Sequence, residues 1–170
     1  GLQGMHMRAM IRVAAVALLA GCAAAPGPQG GYRAAGVPIY STAAFLPERL
    51  AGRWVQVAGF APAQAGAPCT ARGLTVTPGA AGQLAVDAEL CLGGVTRSYA
   101  GPASVTGPGR IRLTNADAAG IGAEWWVLWA DADDRTLVIG TPSGAFGMIL
   151  NRTPDLPPDR LAAARDVLAW

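Results

Sequence analysis

The chain has 170 residues, with thirteen basic and eleven acidic side chains and a formal net charge of +2. Every basic residue is arginine and neither a basic run nor an acidic tail is present, which argues against nucleic acid as a partner. The single histidine, His6, sits near the amino terminus, so the rest of the chain has no imidazole for a Ser–His or Cys–His nucleophile and no ready zinc site; an enzyme, a cofactor or a metal is not expected.

In chain order, Gly1 to Gly4 precede the first methionine and are set aside as a scar or a misplaced start. Arg8 and Arg12 then flank a short apolar run, Val13 to Ala20, too brief to span a bilayer as a helix. A positive flank, a short apolar stretch and small residues together read as a secretory signal. Leu19-Ala20-Gly21-Cys22 ends the run and resembles the bacterial lipobox. That resemblance implies removal of residues 1–21, lipidation of Cys22 and a mature protein held at a membrane by its first residue. Ala23, rather than Asp, after that cysteine fits export to the cell outer membrane. The 149 residues from Cys22 onward carry eleven arginines against eleven acids. Residues 22–44, rich in Ala, Gly and Pro, read as a flexible tether, and residues 45–170 as one domain.

Within that domain, short apolar or alternating runs recur about every ten residues, punctuated by Gly and Pro: 53–60, 70–77, 83–91, 95–105, 110–114, 124–130, 136–141 and 146–151. Eight short strands at even spacing predict an all-β fold, an up-and-down antiparallel barrel or a sandwich. Pro157-Pro158 then opens a helix over 159–168, with Leu161, Ala164, Val167 and Leu168 on one side.

Cys69 and Cys91 form an even pair in an oxidising compartment, read as a disulfide against the alternative of two buried thiols. The loop 78–82, taken as centred on Ala80, sets Cys69 opposite Cys91, Thr70 opposite Leu90, Arg72 opposite Ala88, Leu74 opposite Val86 and Val76 opposite Leu84. Gly93-Gly94 is a two-residue hairpin signal that sets Leu90 opposite Arg97, Ala88 opposite Tyr99, Val86 opposite Gly101 and Leu84 opposite Ala103. This register turns Arg72, Arg97 and Tyr99 inward near one end. An inward arginine either holds the phosphate or carboxylate of a ligand, or snorkels to water or pairs with a loop acid. The carboxylates of Asp131, Asp133 and Asp134 read as a solvated turn in preference to a calcium loop.

Gly52-Arg53-Trp54, the stretch Trp125 to Asp131, Gly140-Thr141-Pro142 and the stretch Ile149 to Pro154, in this order on eight strands and a terminal helix, resemble the lipocalin family, in particular the bacterial outer-membrane lipoproteins related to apolipoprotein D. The chain departs from the family pattern where Gly122-Ala123-Glu124-Trp125 stands before the sixth strand and where Val55 follows the motif tryptophan. The resemblance implies an eight-stranded barrel with the helix packed outside it, and a Trp54–Arg152 plug at the closed end. It implies a ligand site lined by Gln56, Ala58, Phe60, Leu74, Val86, Ala88, Trp125 and Val127, with Arg72, Arg97 and Tyr99 toward the mouth. The mouth would be built by 60–68, 92–94, 115–123 and 142–145. The function implied is binding of a small hydrophobic or amphipathic ligand, a fatty acid or lysophospholipid-like lipid, for lipid handling or envelope maintenance. The alternative is an envelope assembly protein with a filled barrel that binds a protein partner through its loops.

Overall fold

The computed structural model describes residues 41–43, 45–62, 69–70 and 72–169. The signal, Cys22 and the tether up to residue 40 lie outside the described residues, as do residues 63–68 of the first mouth loop. Eight antiparallel strands close into one barrel: β1 (Gly52–Phe60), β2 (Gly73–Pro78), β3 (Gln83–Leu92), β4 (Val95–Gly107), β5 (Arg110–Leu113), β6 (Glu124–Ala130), β7 (Thr136–Gly140) and β8 (Gly147–Asn151). Each strand pairs with its neighbour in sequence, and β8 pairs back onto β1. A helix, α1 (Pro158–Ala169), follows and packs outside the barrel.

Two apolar clusters organise the packing. The inner one fills the barrel and includes Trp54, Leu74, Val86, Leu90, Tyr99, Trp125, Met148 and Leu150. The outer one joins Ala164 and Leu168 of α1 to Val138 and Ile149 on the outward faces of β7 and β8. Every residue of β7 and β8 is therefore buried, because α1 covers the face that water would otherwise wet. The helix buries the side expected from its spacing, with Leu161 and Val167 at the margin of the contact.

The β3–β4 register matches expectation at Leu90 with Arg97, Ala88 with Tyr99, Val86 with Gly101 and Leu84 with Ala103. Gly93 and Gly94 both take positive φ, 62° and 83°, as a tight turn of this kind requires. The β2–β3 register differs from expectation by two residues, with Leu74 opposite Ala88 and Val76 opposite Val86. The loop closes with the Gly79 N–H donating to the Gln83 carbonyl at 2.7 Å, so it is centred on Ala81, which adopts φ 53°.

Two departures from simple alternation decide which side chains face inward. In β1 the pairing with β8 slips between Gln56 and Ala58, an irregularity of bulge type. Beyond that point Ala58 and Phe60 pack on the outer cluster, not inside the barrel where the resemblance placed them. At the start of β2, both Arg72 and Gly73 oppose Glu89: the Arg72 N–H donates to the Glu89 carbonyl while Gly73 is its strand partner. Gly73 takes φ +126°, and a Cβ there would sit 2.0 Å from the Trp54 carbonyl, so only glycine permits this crossing.

Candidate functional site

The end where β1 begins is closed by packed side chains. Pro47–Leu50 forms a short 3-10 turn beneath the barrel, with Phe45 and Leu50 buried. Trp54 is fully buried and its indole N–H donates to the Leu50 carbonyl at 2.8 Å. The Arg152 guanidinium lies 3.6 Å over the Trp54 ring and donates to the carbonyls of Arg53 (3.0 Å) and Arg49 (2.9 Å). Burial draws the Arg152 pKa below its ordinary value, and the charge of Asp134 pulls it back. All three carboxylates of the acidic turn are held by arginines here: Asp134 pairs with Arg49, Asp133 with Arg135, and Asp131 with Arg135 and Arg160. Asp131 accepts the backbone N–H groups of Arg135 and Thr136.

The opposite end is held differently. β2 does not extend to the mouth, so among the described residues the upper half of β1 is hydrogen-bonded to β3 by the Gln56 side chain. The buried Gln56 amide donates to the Cys91 carbonyl and accepts from the Cys91 N–H, both at 2.9 Å. It completes a rung that a strand backbone would otherwise supply. Gly59 permits this approach, since a Cβ there would lie 2.6 Å from the Cys91 carbonyl. Cys69 and Cys91 form a disulfide with their Cα atoms 5.7 Å apart. The pairing expected from the cysteine count is present, although Cys69 lies outside β2 and not opposite Cys91 in a ladder.

Across the mouth runs the β5–β6 connection. Its 3-10 turn, Ala116–Ala119, is followed by Ile121; Ala116 and Ile121 are completely buried over the inner cluster. The Trp125 indole N–H donates to the Ile121 carbonyl at 2.8 Å, and Trp125 meets Phe146 edge-on at 6.4 Å. This segment was expected only as one of the mouth loops. Its sequence signal is Ile121, a large aliphatic among Ala, Gly and Asp, between Asn115 and Gly122, which both take positive φ.

The structure separates the sequence-predicted site residues into three groups. Leu74, Val86, Ala88, Trp125 and Val127 line the interior and pack as one cluster with Gln56 beside them. Ala58 and Phe60 face outward, as described above. The mouth trio is divided. Arg72 was expected to face the lumen; its side chain is 76% exposed and pairs with Glu89 on the outer surface at 3.1 Å, because the doubled pairing at Glu89 reverses its face. Tyr99 is buried, and its hydroxyl lies 2.8 Å from the Pro102 carbonyl and 2.9 Å from the Thr114 carbonyl. Burial pushes its phenol above the ordinary value near 10. Arg97, opposite the buried Leu90, stays on the inner face and lies against Gly120.

A cleft of about 610 Å³ opens at the mouth end, bordered by Gln56, Ala58, Ala61, Cys69, Thr70, Cys91 and the Gly93–Gly94 turn, so Ala58, though on the outer cluster, reaches its edge. A smaller one, about 260 Å³, lies at the closed end beside Phe45, Arg49 and Trp129. Among the described residues no group of acidic, Cys or His side chains is arranged to hold a metal ion.

The model of the lipocalin-like domain family matches residues 47–168, the whole barrel and nearly all of α1. With that match on a closed eight-stranded barrel and an external helix, the chain belongs to the lipocalin family. No curated protein matches the chain. Lipocalins are typically binding proteins, not enzymes, and a lipocalin-like barrel suggests a small hydrophobic ligand.

Proposed function

We propose that this protein is a membrane-tethered lipocalin that takes up a single-chain lipid, of fatty acid or lysophospholipid type, for lipid handling or envelope maintenance at the outer membrane. The observation that carries the reading is the mouth-end cleft of about 610 Å³, within the usual range for small-molecule sites, at the rim of an apolar interior sealed at the other end. The lipobox-like Leu19-Ala20-Gly21-Cys22 supports the tether. Native mass spectrometry of the protein extracted in mild detergent should find one copurified lipid per chain. A protein that carries none, and whose tryptophan fluorescence ignores added fatty acid, would refute carriage. Intact-mass measurement should find acyl chains on the parent and none on Cys22→Ser.

One observation favours a second reading, an envelope assembly protein that uses its loops on a protein partner. The inward side chains pack as one cluster and Ile121 lies buried beneath the mouth, so a chain entering the barrel must displace side chains. Native mass spectra without lipid, but with a stoichiometric protein partner, would select that reading.

A further inference from the structure

Among the described residues, the mouth holds one cation that the fold itself does not use. Arg97 is partly buried, and its place opposite Leu90 puts it on the inner face of β4. Among the described residues it forms no ion pair and no side-chain hydrogen bond. All eleven acidic side chains of the chain lie among the described residues, so no masked loop supplies a counter-carboxylate. Among the described residues the other two partly buried arginines are occupied: Arg152 by Trp54 and two carbonyls, Arg160 by Thr136 and Asp131. A guanidinium withdrawn from water without a partner costs stability.

The space beside Arg97 is shaped for it. A Cβ on Gly120 would lie 2.9 Å from one terminal nitrogen, 3.0 Å from Cζ and 3.2 Å from Nε, so the guanidinium spreads over bare backbone. Gly120 also takes φ +73°, which disfavours any side chain there. The neighbouring Tyr99 hydroxyl is taken by the Pro102 and Thr114 carbonyls and does not compete for a ligand. Arg72, the other basic residue of this region, is spent on Glu89 at the outer surface.

We propose that Arg97 is the anion-binding residue of the mouth, taking the single oxyanion group, carboxylate or phosphate, of a one-chain amphiphile. The inference rests on the carriage reading and adds the head-group chemistry to it. A planar fork suits either group, since both present two oxygens to parallel N–H donors. A single cation selects a ligand with one anionic head over one with several.

The test uses the full chain and three probes with the same tail: oleate, oleyl phosphate and oleyl alcohol, each followed by tryptophan quenching. Arg97→Met should weaken both anions by about tenfold or more and change the alcohol by less than about twofold. Arg97→Lys should recover part of the loss, and Arg72→Met should leave all three unchanged. Loss of one anion alone assigns the head group and still supports the proposal. Equal loss for all three probes, or loss for none, overturns it. Binding of the alcohol but neither anion by the parent overturns it while carriage stands; binding of no probe removes both. Thermal melting separates this role from a structural one: Arg97→Met and Arg97→Gln should melt at or above the parent's temperature, because no native hydrogen bond or ion pair is lost and either side chain can still cover Gly120. A clear drop in both would make Arg97 a structural residue and sink the proposal.

Discussion

The two ends of the barrel solve the same problem, satisfying the ends of eight strands, with opposite materials. At the closed end large side chains do the work: Trp54 and Leu50 fill the opening, and Arg152 caps them while binding two carbonyls. At the mouth, close approaches permitted by glycine add to the side-chain packing: Gly59 and Gly93 let backbone meet backbone, and Gly120 lets the Arg97 guanidinium lie on bare backbone. Among the described residues the Gln56 amide, the Cys69–Cys91 disulfide and Ile121, tied to the Trp125 indole, help to hold that end together. Packed aromatic and aliphatic surface is lost only by breaking a core, whereas a set of separate latches can be opened one at a time. The end built of latches is the one that can admit a ligand.

The contrast can be broken by mutation, beginning with the largest effect. Trp54→Ala should cost about 3–5 kcal/mol in urea unfolding, as expected for truncating a fully buried aromatic. A loss under about 1 kcal/mol would show that the closed end is not the rigid one. Reducing Cys69–Cys91, or replacing both with serine, removes a constraint on a loop of 22 residues and should cost about 3 kcal/mol. Thiol titration of the unfolded, unreduced protein should find neither cysteine free.

Gln56→Ala leaves the N–H and carbonyl of Cys91 unsatisfied and should cost about 1–3 kcal/mol, with faster hydrogen exchange confined to the mouth. Tyr99→Phe should cost about 1 kcal/mol at neutral pH. The raised phenol pKa gives this site a pH signature. Its contribution is whole below the ordinary value near 10 and is lost as pH rises through the higher folded value, because the unfolded chain ionises first. The parent should therefore lose stability more steeply than Tyr99→Phe as pH rises from the ordinary value near 10 to the higher folded one. Arg72→Ala, an exposed partner of Glu89, should change stability by less than about 0.5 kcal/mol.

The parts of the fold legible in the sequence are those where one local signal admits one answer. Gly93-Gly94 closes a two-residue turn in only one way, and the β3–β4 register follows from it pair by pair. The loop before β3 offers two closures, at Pro78 and Gly82 or at Gly79 and Gln83. The second requires a left-handed alanine, Ala81, which no propensity points to. The candidate site suffers most from the two irregular crossings. One displaces Ala58 and Phe60 outward and the other displaces Arg72, because a one-residue slip moves every later side chain to the opposite face. The cysteine pair was legible by count, although the register offered in its support was not the one the chain adopts. Gln56 drew notice as a lining residue; its bridging role depends on where β2 begins, a long-range fact.

The cover that α1 places over β7 and β8 has a kinetic consequence. These elements are consecutive in the chain, from Thr136 to Ala169, and are joined by short connections. They bury the outer apolar face of the two strands under α1 before the distant strands close over the inner face. Ring closure, by contrast, joins β1 to β8 across roughly a hundred residues, and its entropy must be met before its contacts repay it. Folding is therefore expected to start at the carboxyl-terminal third and finish at the β1–β8 seam. In pulse-labelling exchange, amides of β7 and β8 that pair with each other should gain protection before those that pair with β1.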